Sequence, residues 1–276
     1  MLILTWYVDR YLKKRNKKDI EKIKNLLGLK KVQKMVKNDL GIRMKEYENI
    51  WRVKLPKKTP VIIRVDGRAF HSLTKNLNRP FDDNFIECMR RTSEYLLKNI
   101  QNSVMVYTQS DEISILIDDR ATNETEAMFN NNLIKLVSLS SAMATLSFNR
   151  ASRELLDGKE GIFDSRAFIL SDIEVPNYFL WRMKDWNRNS IQMVARSVYS
   201  PKQLHKKKRP ELMEMLFDKD INWARIKANY KNGILLYKKD STICSVSRKF
   251  DYLSLKKFVN QIKNIELKKT VKNGNE

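Results

Sequence analysis

Three features of this chain predict an α+β fold with a ferredoxin-like core. Its predicted elements run strand, helix, strand, strand, helix, strand. The two helical segments carry their apolar residues on one side. Two of the strands end by presenting a carboxylate, Asp66 and Asp111. A βαββαβ order closes an antiparallel sheet with two helices on one face. The first strand then lies beside the third, so its end meets the turn joining the second and third.

Each element has its own warrant. Thr59 to Asp66 is a strand, because β-branched Val61, Ile62, Ile63 and Val65 make it an apolar run. Gly67 permits a sharp departure from it. Asp82 to Ile100 is a helix with Phe85, Ile86, Met89, Thr92, Ser93, Leu96 and Leu97 on one side. Ser103 to Thr108 is the second strand, Gln109-Ser110-Asp111 a tight reversal, and Ile113, Ile115 and Ile117 mark the third strand. Glu126 to about Leu155 is a long helix with Met128, Leu133, Leu136, Val137, Met143, Ala144, Leu146 and Phe148 as its core face. Asp164 to Leu170 is the fourth strand. Helical segments follow through Tyr178–Arg182 and Asp185–Ala195, then a basic stretch from Lys202 to Arg209, then a last strand from Ile234 to Tyr237.

Three regions result: a basic helical extension over residues 1–38, a catalytic domain over 39–240 with a helical C-terminal part, and a basic tail over 241–276. The extension is either an arm that grips RNA or a solvated basic helix packed on the body. Lys and Arg number 54 against 32 Asp and Glu, a net charge of +22 that favours a polyanionic partner, nucleic acid first and an anionic membrane surface second. With two cysteines, Cys88 and Cys244, the chain has neither a disulfide framework nor a structural zinc site to offer. His71 and His205 are the only histidines, which excludes a multi-histidine metal centre. The short apolar start lacks the flanks of a secretory signal and the length of a membrane span, so a cytoplasmic protein is expected.

Asp66 and Asp111 at neighbouring strand tips suit nucleotidyl transfer. Such chemistry needs hard oxygen ligands for two Mg²⁺ ions about 3.5–4 Å apart. Gly67 to His71 offers backbone N–H groups to phosphates, and Ser110 adds a hydroxyl. Lys75 and Arg79 are candidate triphosphate cations or simply solvated loop residues. Glu112 is a candidate for holding a metal-bound water or orienting a ligand. A D-G turn or an S-D-E alone is most often a turn or a cap; the pairing on matched strands carries the signal.

The segments R-V-D-G-R-A-F-H (Arg64–His71), R-P-F-D (Arg79–Asp82), Y-T-Q-S-D-E (Tyr107–Glu112), F-D-S-R (Phe163–Arg166), W-R-M-K-D (Trp181–Asp185) and R-N-S (Arg188–Ser190) resemble the tRNA-histidine guanylyltransferase superfamily of 3′-to-5′ polymerases. The branch most similar is that of the guanylyltransferase-like proteins, which repair tRNA 5′ ends. The resemblance spans about Asp39 to Lys239 and implies a polymerase-palm domain. It implies that Asp66 and Asp111 bind both Mg²⁺ ions with the Gly67 carbonyl, and that Glu112 is essential. It also implies that Asp66, Gly67, Arg68, Ala69, Phe70, His71, Lys75, Arg79, Ser110 and Asp111 contact the nucleotide, ATP or GTP. Asn187, Arg188, Asn189, Lys206, Lys207 and Lys208 are the candidate tRNA contacts, and a homotetramer is the implied assembly. Arg79 stands where the family has lysine, and Asn187–Ser190 stands where the histidine-tRNA enzymes carry His-Ile-Asn-Asn, a departure that favours templated repair. A nucleotide cyclase, a 5′-to-3′ polymerase, an enzyme adding one guanosine to histidine tRNA, and a non-catalytic RNA-binding protein are the competing readings.

Overall fold

The structure, a computed structural model, describes residues 40–239 and 242–273. The chain divides into two compact units after Arg52, beyond the boundary expected at residue 38. In the first unit residues 40–49 are helical; the extension expected over 1–38 lies outside the described residues.

The second unit is built on a six-stranded antiparallel sheet in the order β4-β1-β3-β2-β5-β6. Its strands are β1 Val61–Arg68, β2 Ser103–Gln109, β3 Glu112–Ile117, β4 Ile162–Ile169, β5 Ile234–Lys239 and β6 Thr242–Val246. The first four keep the predicted order and pairing, with β1 between β3 and β4. Alternation along β1 sends Val61, Ile63 and Val65 to one face and Ile62 to the other, and both faces are buried. That double burial is why the strand reads as an unbroken apolar run.

Helices α1 Phe70–Leu73, α2 Asp83–Asn99 and α3 Leu133–Leu155 lie on the Val61 side. Asp82 caps α2 by accepting a bond from the Phe85 N–H at 2.8 Å. Its buried residues Phe85, Cys88, Met89, Thr92, Ser93, Leu96 and Leu97 recur at helical spacing. α3 starts later than expected, because Met128–Asn131 forms a separate 3₁₀ turn and Asn132 caps the helix proper. Leu146, expected in the core, is exposed.

The opposite face is covered as well. Its cover is α4 Glu174–Val198 and α8 Tyr252–Asn273, so the sheet is sandwiched rather than open on one side. The first half of α4 places Val175, Tyr178 and Phe179 on the sheet. Its second half packs Ile191, Val194 and Ala195 against α5 Pro201–Leu204, α6 Arg209–Phe217 and Trp223 of a 3₁₀ turn. A further short helix, α7 Ala228–Asn232, leads into β5. The stretch expected to be a basic tail contributes β6 and α8, with Leu255, Val259 and Ile262 buried. A boundary at residue 240 therefore cuts the β5–β6 hairpin. Among the described residues no helix is long and apolar enough to cross a membrane.

Candidate active site

Strand pairing brings the two predicted aspartates together. Asp66 is opposite Glu112 in the β1–β3 ladder, and the Gly67 N–H donates to the Asp111 carbonyl at 3.0 Å. That bond pins the β2–β3 hairpin to the end of β1. The hairpin loop is Ser110-Asp111, closed by the Gln109–Glu112 pair, and Ser110 sits at φ 50°. Burial pushes the Asp111 carboxyl above its ordinary pKa, and the negative charge of Asp66 pushes it further; the Ser110 hydroxyl and Arg64 work against this. A buried carboxylate beside a second negative charge is relieved by a cation.

The turn expected to meet phosphates is built differently from expectation. Gly67 stays in the extended strand, and Ala69 takes the left-handed conformation at φ 56°. Gly67 is needed for space: a Cβ there falls 2.5 Å from the Phe70 ring. Phe70 is 3% exposed and packs on Phe163, Phe148 and Phe85 at centroid distances of 4.9, 5.1 and 6.0 Å. Its ring anchors the turn from below, so only its backbone is placed to meet a ligand. Arg68, Ala69 and His71 are exposed, and the leading N–H groups of α1 have no intrahelical acceptor. Lys75 and Arg79 are exposed in the following loop, where the Arg79 guanidinium donates to the Lys75 carbonyl at 3.3 Å.

Glu112 is not at the surface. It is 4% exposed and accepts two bonds of 2.6 Å from Arg182 on α4. Arg64 reaches the same Glu112 oxygen, Oε2, that Arg182 Nη2 holds, at 2.7 Å, and touches Asp66 at 3.3 Å. Both Glu112 oxygens are thus engaged inside the protein, which gives this residue a positioning place rather than a reacting one. Arg182 also meets Asp185, which in turn pairs with Arg188. Arg166 on β4 approaches Asp66 at 3.8 Å and Asp164 at 3.5 Å. Of these partners only Arg188 was singled out, as a tRNA contact; Arg64, Arg166, Arg182 and Asp185 were not named as site residues. Arg64 and Arg166 share a face with Asp66 by simple alternation, a signal the sequence does contain. Arg182 stands among the buried Tyr178, Phe179 and Met183, where an arginine demands a buried acid.

The expected RNA contacts divide between helix α4 and the α5–α6 loop, and of them Arg188 is linked to Asp66 through Asp185, Arg182, Glu112 and Arg64. Asn187 donates its amide to the Lys231 carbonyl at 3.2 Å and is a structural link between α4 and α7. Arg188 and Asn189 are exposed on α4. Lys206, Lys207 and Lys208 form the exposed α5–α6 loop, with Lys207 paired to Glu211 at 2.9 Å. Among the described residues no ion pair or hydrogen bond joins that loop to the aspartates.

The donor set suits a hard divalent cation. Asp66 and Asp111 supply two carboxylates, and Asp111 has no ion-pair partner among the described residues. No group of three or more acidic, histidine or cysteine side chains forms a cage there, again among the described residues. A small ion that keeps most of its waters and shares a nucleotide's phosphates needs no such cage.

Comparison with known proteins agrees with this geometry. The family described as Thg1, tRNAHis guanylyltransferase, matches residues 41–171, which hold β1 to β4 and both aspartates. A bacterial tRNA(His) guanylyltransferase (Thg1)-like protein solved in complex with ATP is 40% identical, with a TM-score of 0.78, covering 81% of this chain and 98% of that one. Its counterpart in complex with GTP is 37% identical, with a TM-score of 0.68, over 82% of this chain and 99% of that one. The tRNA(His) guanylyltransferase of Schizosaccharomyces pombe is 25% identical over 245 residues, 81% of this chain and 90% of that protein. The chain belongs to the tRNA-His guanylyltransferase family, a family of nucleotidyltransferases.

Proposed function

We propose that this protein is a Mg²⁺-dependent nucleotidyltransferase that adds nucleotides to the 5′ end of tRNA, growing the strand 3′-to-5′ against a template. The observation that carries the reading is the Gly67–Asp111 backbone bond, which holds Asp66 and Asp111 side by side beside an exposed turn. The similarity to proteins solved with ATP and with GTP supports nucleoside triphosphates as substrates.

Asp66 and Asp111 would hold the metal. When bound, Mg²⁺ neutralises phosphate charge and favours ionisation of the attacking hydroxyl. The rest falls to the chain's own groups. The backbone N–H groups from Ala69 to His71 orient the phosphates, with the Ser110 hydroxyl opposite. Exposed Lys75 and Arg79 add positive charge. The incoming nucleotide's 3′-hydroxyl oxygen forms a new bond to the 5′ phosphorus. The bond from that phosphorus to AMP or pyrophosphate breaks, depending on whether the end carries an adenylyl group or a triphosphate. Replacement of the His-Ile-Asn-Asn run by Asn187–Ser190, where Asn187 is spent on the Lys231 carbonyl, favours templated repair over histidine-tRNA selection.

Incubation of several 5′-truncated tRNAs with the four nucleotides and Mg²⁺ tests this reading. Extension that stops where the 3′ strand stops supplying a template is expected. A single guanosine added only to histidine tRNA supports the narrower activity, a cyclic mononucleotide or 3′ extension supports the other enzymes, and binding without extension supports an RNA-binding protein. Asp66→Ala and Asp111→Ala should each lower activity by at least about a thousandfold while leaving the far-ultraviolet spectrum unchanged.

A further inference from the structure

Four charged side chains between the sheet and α4 form one connected chain. Arg182 grips Glu112 through two bonds of 2.6 Å, Glu112 holds Arg64 at 2.7 Å, and Arg64 reaches Asp66 at 3.3 Å. One Arg64 nitrogen, Nη2, serves both acids. Its Nε is buried and has no hydrogen-bond partner. A buried orphan donor is costly, and a guanidinium has five N–H groups to offer. The pose that divides Nη2 between two carboxylates is therefore a compromise. The two acids also differ: the side chain of Glu112 is 5% exposed and that of Asp66 is 28% exposed.

We propose that Arg64 is a positioning residue that serves as counter-ion to Asp66 until a divalent cation arrives, and that the cation takes Asp66 by displacing Arg64 onto Glu112. The inference rests on Asp66 and Asp111 being the cation site. Charge stays matched throughout: Asp66 exchanges one positive partner for another, and Arg64 keeps Glu112. Arg182 holds Glu112 in place to receive it. The bond that breaks is the longer and more solvated of the two, so it is the easier to give up. This gives buried Glu112 a task that requires no contact with substrate. Arg166 is a built-in comparison. It carries the same charge to the same Asp66 oxygen at 3.8 Å, but it is 54% exposed and its other acid, Asp164, is 62% exposed.

The test is Mn²⁺ binding to the full chain without nucleotide, followed by electron paramagnetic resonance of the free ion. Arg64→Met is expected to bind about fivefold more tightly than wild type, and Arg166→Met to stay within about twofold of it. Arg64→Lys keeps the charge and should bind no more tightly than wild type. Equal gains in the two methionine variants would mean a simple field effect, and unchanged or weaker binding in Arg64→Met would mean a structural role; either overturns the proposal. If Asp66→Ala binds as well as wild type, the cation site itself is misplaced and the proposal falls with it, a result distinct from the other two. A crystal structure of the wild type with Mg²⁺ gives an answer that does not depend on a variant folding. Arg64 more than about 4 Å from Asp66 with its Glu112 contact retained is expected. Retention of both contacts overturns the proposal.

Discussion

The decisive residue is Asp111, because its environment works against its own charge. Burial raises its pKa above the ordinary 3.8, and the carboxylate of Asp66 adds to the shift. Folding therefore favours the protonated form. The stability this contributes is complete below the ordinary carboxylate range and is lost as pH rises through the raised pKa. Asp111→Asn should accordingly raise the melting temperature at pH 7 while abolishing extension, and Mg²⁺ should stabilise the wild type but not the variant. An unchanged or lower melting temperature in Asp111→Asn would show that the charge is not strained. Mg²⁺ affinity should also weaken on the acid side, because the proton and the cation compete for Asp111. At this scale the two aspartates were legible in the sequence because acids terminating apolar strands stand out. The burial of Glu112 was not, because it depends on Arg182, remote in sequence on another element. The burial of the Phe70 ring was not legible for a related reason: a motif records which residues recur, not which way a ring points.

At the scale of elements, a single turn and a single helix hold the site in shape. Gly67 has no room for a methyl group over the Phe70 ring, which is itself wedged among three other rings. Gly67→Ala is expected to cost about 1–3 kcal/mol in denaturant unfolding, and Phe70→Leu in the same chain should restore part of it. Full additivity of the two changes would contradict a steric origin. Helix α4 is tied to the hairpin through Arg182 and Glu112, both nearly dry. Arg182→Met leaves that acid dependent on Arg64 alone and should cost about 3–5 kcal/mol. Arg182→Met with Glu112→Gln should be more stable than Arg182→Met alone, since no buried charge is then short of a partner. The βαββαβ order was legible because each strand and helix announces its own period. β6 was not legible, and α8 only as a basic, partly helical or frayed tail from Leu255, because their apolar residues are few and dispersed among lysines, and only the uncovered far face of the sheet calls for them.

Over the whole molecule the dominant fact is charge. A net +22 on 276 residues predicts RNA binding that relies on phosphate contacts and counterion release. Affinity for tRNA should drop by about a hundredfold or more between 50 and 200 mM salt. Binding insensitive to salt would assign the basic surface some other role. The sheet reconciles opposite demands within one unit. One face is sealed by α2 and α3, and the other by α4 and α8, while the β1 end and the β2–β3 turn present acids beside an exposed loop. Stability comes from the two cores, which leaves the strand tips to carry like charges that a folded protein otherwise avoids.

Asp66 and Asp111 are expected to share one cation. Anomalous diffraction from crystals grown with Mn²⁺ and a nucleoside triphosphate answers this directly. The prediction is a peak about 2.0–2.3 Å from a carboxylate oxygen of each aspartate and in contact with the triphosphate. A triphosphate bound with its metal elsewhere, and Asp66 still held by Arg64, would contradict it.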